Sequence, residues 1–252
     1  MPVPVDISLL GSLLVHRDDR SVRIPEGKQR IILATLALNA GHPVSVDTLI
    51  DHLWGNRPPT AARTTVRGHV KRLRKWLDGD QDSSLITSGR LTYTLAVEPG
   101  QVDFWRFRRL LDLATVHRGG PEEHRLLCQA IELWRGGPLS DVHSDSLRAQ
   151  TVESAWEDYL FALHRRIELE LHHGAADRVV AELMRLVTEH PLREPFWLQL
   201  LTALRESCRV AEALAAYERC RRILADELGA IPGAALLNFH RELLSATPVP
   251  QC

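Results

Sequence analysis

The chain has few of the residues and motifs that mark enzymes, metalloproteins or disulfide-rich domains. Its four cysteines, at positions 128, 208, 220 and 252, form no C-x-x-C pair, so we expect the first three to be small core residues. The histidines make no H-E-x-x-H motif, and no phosphate-binding glycine loop or G-x-S-x-G elbow occurs. We therefore expect no catalysis, no bound metal and no cofactor.

Long apolar runs are also missing. The stretch Ile31 to Leu38 is far too short to span a bilayer, and the N-terminal residues lack the basic and apolar regions of a signal peptide. The overall composition, with 44% hydrophobic and 25% charged residues, is that of a globular protein. We expect a cytoplasmic protein without a membrane partner, and 252 residues suffice for two compact domains.

Charge is unevenly distributed along the chain. Residues 1–99 hold 13 basic and 10 acidic side chains, whereas residues 100–252 hold 18 and 22. The segment Arg57–Trp76 contains seven basic residues and no acid. Such a local excess is typical of a nucleic-acid-binding surface, although charge alone fits a solvated helix face equally well.

The N-terminal third changes its periodicity from strand to helix and back again. Short β-type segments are predicted at Val5–Leu10, Ser12–His16 and Val22–Ile24. Helices follow at Gln29–Leu38, at Val46–Leu53 with Ser45 or Asp47 at its start, and from a Thr60 N-cap to Leu77. A hairpin then pairs Leu85–Thr87 with Leu91–Val97 and places Arg90 near its tip. This order predicts a winged helix-turn-helix.

The third helix separates an apolar side from a cationic side. At about 100° per residue, Val70, Leu73 and Leu77 fall within about 40° of Val66. The arc from about 60° to 180° collects Arg63, Thr64, Arg67, Lys71, Arg74 and Lys75, and Arg67 and Arg74 are expected to point to solvent. Arginine can pair bidentately with guanine edges or phosphates, and lysine supplies a point charge.

Several motifs resemble one family of regulators over nearly the whole chain. Residues 43–55, the Pro58-Pro59 loop and residues 70–75 resemble the DNA-binding domain of the Streptomyces antibiotic regulatory proteins, which have an OmpR-like winged helix. Residues 133–139 and 226–233 resemble motifs of that family's bacterial transcriptional activation domain. Two details depart from the family pattern. Ser88–Leu95 lacks the usual Gly-Tyr of the wing, and Arg63-Thr64 replaces the usual Asn-Thr.

The resemblance implies an activator of the small, two-domain type. It places the DNA-binding domain at residues 1–99 and the activation domain at residues 100–252. It implies two copies bound to direct repeats near the promoter −35 region, recruitment of RNA polymerase holoenzyme through its sigma and alpha subunits, and control of an antibiotic or other secondary-metabolite gene cluster. The implied polymerase-facing residues are Trp54, Asn56 and Arg57. The expected DNA contacts are Arg63, Thr64, Arg67, Lys71, Arg72, Arg74, Lys75 and Arg90.

The C-terminal part is predicted to be all helical. Helical segments are expected at Asp103–His117, Glu122–Trp134 and Asp145–His172. A shift of 34 residues aligns Gly174–Leu186 with Cys208–Cys220, the period of tetratricopeptide repeats. Two alternatives stay open at this point: a protein-binding adaptor built on these repeats, and a regulator whose repeats sense a small molecule.

Overall fold

The computed structural model describes residues 5–17, 20–79 and 84–245. The chain divides into two compact units, Met1–Ala162 and Leu163–Cys252. Within the described ranges no helix is long and apolar enough to cross a membrane, and no group of three His, Cys, Asp or Glu side chains is arranged to hold a metal ion. The first unit carries the predicted winged helix.

The first unit opens with an antiparallel sheet of three strands. Its strands, in spatial order, are β1 (Val5–Ser8), β2 (Leu14–Arg17) and β3 (Arg20–Ser21). Ile7 lies opposite Val15, and both side chains are buried. The predicted strand Val22–Ile24 is wrong. Because Arg17 pairs with Arg20, β3 begins two residues before the predicted strand, and its pairing with β2 ends at the hydrogen bond from the N–H of Val22 to the carbonyl oxygen of Val15.

Three helices and a second small sheet complete the winged helix. The helices are α1 (Lys28–Ala37), α2 (Val46–Trp54) and α3 (Ala62–Asp78). The second sheet has the order β4 (Val44–Ser45), β6 (Thr92–Leu95) and β5 (Ile86–Ser88), so the β5–β6 hairpin is tied to the chain entering α2. The predicted fold class is confirmed.

The N-terminal caps of α2 and α3 differ from each other. Ser45 caps α2 as predicted, because its Oγ accepts a hydrogen bond of 2.9 Å from the backbone N–H of Thr48. The predicted Thr60 cap of α3 is wrong. The chain makes a turn in which the N–H of Ala62 donates to the carbonyl oxygen of Pro59, so the N-cap position is Ala61, one residue later, and the helix has no side-chain cap.

Helices beyond the winged helix also belong to the first unit. They are α4 (Asp103–Val116), α5 (Pro121–Glu132) and the first part of α6 (Asp145–His172), and a short 3-10 turn at Pro99–Gln101 precedes α4. The buried carboxylate of Asp103 accepts hydrogen bonds from the backbone N–H groups of Leu9 (2.6 Å) and Leu10 (3.1 Å). The start of α4 is therefore fastened to the end of β1.

The family-like motif at residues 133–139 has a structural role. The N–H groups of Arg135 and Leu139 donate to the carbonyl oxygens of Leu10 and Leu9, which anchors the turn after α5 to the first sheet. The indole of Trp134 stacks on the ring of Tyr159 with 4.3 Å between centroids. This segment joins α5, α6 and the first sheet into one unit.

In the second unit the same turn between helices recurs after 34 residues. It contains the end of α6 and the helices α7 (Ala176–Glu189), α8 (Glu194–Glu206), α9 (Val210–Leu228) and α10 (Ala234–Ser245). The N–H of Ala175 donates to the carbonyl of Glu170, and 34 residues later the N–H of Arg209 donates to the carbonyl of Leu204. The predicted period is therefore present in the hydrogen bonds of the turns.

The same repeat explains which cysteines are in the core. Cys208 has φ 57° and occupies the turn position that corresponds to Gly174, where φ is 72°. Its predicted place in the core is wrong, because this turn position faces solvent and Cys208 is exposed. Cys220 lies inside the unit, and burial raises the pKa of its thiol to about 12. Cys128 is half-buried.

Candidate nucleic-acid interface

Helix α3 is anchored by the apolar side that its sequence predicts. Val66, Val70, Leu73 and Leu77 are each at most 2% exposed and pack into the core of the first unit. This burial fixes the orientation of α3 about its axis, since rotating the helix would expose these side chains to water. The opposite arc must then face outward.

Most of the expected contact residues lie on that outward arc. Arg63, Thr64, Arg67, Lys71 and Lys75 are all exposed. Arg72 is exposed as well, but it lies on the other side of the apolar stripe, and its Nη1 is 3.4 Å from Nδ1 of His69. Burial and the nearby Arg72 charge lower the pKa of His69. The structure thus brings five of the predicted side chains onto one face and sets Arg72 apart.

Arg74 does not point to solvent, so that prediction is wrong. It is half-buried, its Nε donates to the carbonyl oxygen of Ile86 at 2.8 Å, and its Nη2 donates to Oγ of Ser88 at 2.7 Å. The physical reason is that β5 passes beside this position of α3 and offers two acceptors in reach of a planar guanidinium. Arg74 therefore fastens the hairpin to α3.

Arg63 is paired with an acid from another helix. Its Nη2 lies 3.1 Å from Oδ1 of Asp47 in the first turn of α2, and the two side chains are 60% and 68% exposed. Exposed pairs of this kind contribute about 0–1 kcal/mol. The guanidinium can consequently exchange the carboxylate for a phosphate at little cost.

A hollow of about 160 Å³ separates α3 from the hairpin. Arg63 and Arg67 lie on its helix side, and Ser88 and Thr92 lie on its hairpin side. Guanidinium and hydroxyl groups are the donors that proteins present to phosphate oxygens. The hollow is of a size and chemistry that suits one phosphate group.

The tip of the hairpin presents a cation and a strained residue. Arg90 is exposed, and the next residue, Leu91, has φ 63° and is 51% exposed. The left-handed conformation costs a residue with a side chain about 1–2 kcal/mol. The tip of the hairpin therefore contains local backbone strain at Leu91.

The loop after α2 contains one packed and two exposed candidate residues. Trp54 is half-buried against the core, and Nζ of Lys28 lies 4.4 Å from the centroid of its ring. Asn56 and Arg57 are exposed. The loop therefore presents the polar pair outward while Trp54 secures its base.

Sequence reasoning missed the buried contact between α2 and α6. The imidazole of His52 is 8% exposed; its Nδ1 is 3.0 Å from Oγ1 of Thr35, and its Nε2 is 3.3 Å from Oε1 of Gln150. The hydroxyl of Ser144 donates to the carbonyl oxygen of His52 at 2.6 Å. Burial lowers the pKa of His52. No local pattern indicated this pairing, because the partners are about a hundred residues apart.

Sequence profiles of known families match both parts of the chain. The profile described as "Transcriptional regulatory protein, C terminal" matches residues 22–95, which include α1 to β6. The profile described as "Bacterial transcriptional activator domain" matches residues 102–244. The predicted boundary between residues 99 and 100 stays a prediction, since the compact units divide the chain elsewhere.

Curated relatives align with almost the whole chain. The transcriptional regulatory protein EmbR of Mycobacterium bovis is 35% identical over 97% of this chain, which spans 64% of the EmbR length. The regulatory protein DnrI of Streptomyces peucetius is 32% identical over 97% of this chain and 93% of its own length. The transcriptional regulator RedD of Streptomyces coelicolor is 33% identical, with 97% and 72% covered.

A solved structure has the same fold. It is described as Mycobacterium tuberculosis EmbR in complex with a low affinity phosphopeptide, and it matches with a TM-score of 0.86 and 34% identity over 98% of this chain and 67% of that one. Together with the two matched domains and the relatives, this similarity shows that the chain belongs to the Streptomyces antibiotic regulatory protein family of transcriptional regulators.

Proposed function

We propose that this regulator binds promoter DNA by laying α3 in the major groove and the β5–β6 hairpin against the adjacent backbone. The observation that carries the proposal is the exposed arc of Arg63, Arg67, Lys71 and Lys75 beside a hairpin that ends in Arg90. In winged helices the corresponding helix reads base edges, while the wing contacts backbone or minor groove. Base edges give specificity, and phosphate contacts set position.

The proposal extends to how the site is organised and used. One winged helix covers few base pairs, so two copies on direct repeats near the −35 region would raise affinity. Direct repeats require a head-to-tail arrangement of the copies. RNA polymerase holoenzyme, through its sigma and alpha subunits, is the proposed partner of the assembled complex, and a secondary-metabolite gene cluster is the proposed target.

A protection footprint on the promoters flanking the protein's own gene tests the proposed binding to direct repeats. Two adjacent protected segments in the same orientation are expected, and absence of protection contradicts it.

Arg67 and Lys71 are expected to contribute to DNA binding in different ways. Arg67→Ala should weaken specific binding by about 1–3 kcal/mol, and Lys71→Ala should weaken specific and non-specific binding alike and make the salt slope shallower by roughly one unit. Mobility shifts at several salt concentrations measure both effects. Urea unfolding should be unchanged, since both side chains are exposed. Arg178→Ala, in the second unit, is the matched control, and wild-type affinity in both interface variants would contradict the assignment.

The exposed loop pair is the proposed contact with RNA polymerase. Replacing Asn56 and Arg57 together by alanine should lower activated transcription in a reconstituted assay, while the mobility shift on DNA persists. Trp54 is left unchanged because it packs on the core. Arg118→Ala, at an exposed turn, serves as the control for loss of one surface charge. A parallel fall of transcription and DNA binding would assign the loop to DNA contact or to folding.

A further inference from the structure

The second unit contains a groove that the proposed DNA interface does not use. The groove has a volume of about 440 Å³ and is lined by the end of α6, by α8 and by the first turn of α10. Along α8 it extends from Glu194 to Glu206. At 1.5 Å per residue this is a length of about 18 Å, which an elongated ligand fills better than a compact one.

The groove is lined by acidic side chains. Among the described lining residues there are three carboxylates, those of Glu168, Glu194 and Glu206, two histidines, and no lysine or arginine. Oε2 of Glu194 is held in place by the N–H of Gly233 at 2.7 Å. Glu168 also accepts a hydrogen bond from Arg165, yet its side chain stays 40% exposed. The groove is therefore suited to a cationic ligand.

A buried amide in the lining has an unused acceptor. Gln199 is 6% exposed, and its Nε2 donates to the carbonyl oxygen of His164 at 2.8 Å, which sets the orientation of the amide. Its Oε1 accepts no hydrogen bond from any residue in the described part of the chain. A buried acceptor without a partner is unfavourable, so a hydrogen-bond donor on a ligand in this groove would gain a partner here.

The remaining side chains of the lining are mostly apolar, and the backbone groups of the groove walls already have hydrogen-bond partners. Leu171, Leu198 and Leu236 contribute aliphatic surface between the carboxylates. The groove walls are helices, whose main-chain groups are bonded internally and so are not available to pair with an extended peptide. A ligand buried here must satisfy its own backbone, which favours an α-helix.

We propose that this groove binds a basic amphipathic α-helix of a protein partner, with leucine-like side chains on the floor and lysine or arginine against Glu168, Glu194 and Glu206. About 12 helical residues match the length of the groove. This is the helix-in-groove mode of peptide recognition. The inference goes beyond the proposed DNA-binding function and does not depend on it.

The test uses the full chain without DNA and a fluorescein-labelled helical peptide of leucine and lysine, about 14 residues long and with one apolar stripe. Fluorescence anisotropy should show binding that Glu168→Gln/Glu206→Gln weakens about tenfold. The control, Asp226→Asn/Glu227→Gln, removes the same charge from the exposed end of α9 and should change binding less than about twofold. Circular dichroism of each variant checks the fold.

A scrambled peptide of equal composition but without the apolar stripe should bind at least about tenfold more weakly, since it cannot cover the leucines. Equal losses in both variant pairs would reveal non-specific attraction to an acidic surface and overturn the proposal. Equal binding of the scrambled peptide, or no binding of either peptide, would overturn it as well. Spermidine is the small-amine competitor. If spermidine binds and neither peptide does, and if its binding depends on Glu168 and Glu206 in the same way, the ligand of the groove is a small cation and the helix proposal is overturned.

Discussion

Asp103→Ala should lower the free energy of unfolding by about 3 kcal/mol, since it leaves the buried N–H groups of Leu9 and Leu10 without an acceptor. Burial raises the pKa of the Asp103 carboxyl, although these two donors and Arg135 act in the opposite direction. Desolvation of the carboxylate therefore offsets part of the stability that its hydrogen bonds provide. Asp103→Asn separates the two contributions. It removes the buried charge and keeps one acceptor, and it should cost less than alanine.

Urea unfolding of the full chain measures these differences. Asp112→Ala, an exposed aspartate on the same helix, is the matched control and should stay within about 0.5 kcal/mol of wild type. Hydrogen exchange at the amides of Leu9 and Leu10 should accelerate in Asp103→Ala. Wild-type stability and exchange in that variant would show that α4 is not fastened to β1 through this carboxylate.

Arg74→Ala should reduce both stability and DNA binding, unlike a change at an outward-facing arginine. Its guanidinium holds Ile86 and Ser88 of β5, and charge-assisted hydrogen bonds contribute about 1.5–3 kcal/mol. Loss of these bonds should free the hairpin from α3, which would displace the wing from the position proposed for it on DNA. Arg74→Lys should recover only part of the loss, because one ammonium cannot reproduce the planar fork.

Urea unfolding, hydrogen exchange of the β5–β6 amides and mobility shifts measure the effect of Arg74 together. Lys75→Ala is the control on the next residue of α3, where the exposed side chain should affect binding without affecting unfolding. If Arg74→Ala and Lys75→Ala behave alike in all three measurements, Arg74 is an ordinary surface cation.

The candidate site was largely predictable where local periodicity governs it. The rotation of α3 followed from the spacing of Val66, Val70 and Leu73, because their burial outweighs any other local preference. The acceptors for Arg74 could not be predicted, since they belong to a hairpin whose register against α3 no local pattern specifies. The ion pair of Arg63 with Asp47 could not be predicted for the same reason, because it joins two different helices.

The amino-acid sequence by itself determined the three helices and the hairpin of the winged helix, the cationic face of α3, the 34-residue repeat and the family, because each depends on spacing within short segments. Tertiary structure alone decided how the segments join. It placed Asp103 under the end of β1 and His52 against Gln150, which makes α4, α5 and the start of α6 part of the unit that carries the winged helix. Such contacts depend on the packing of elements about a hundred residues apart, and their energies come from desolvated hydrogen bonds that exist only in the folded chain.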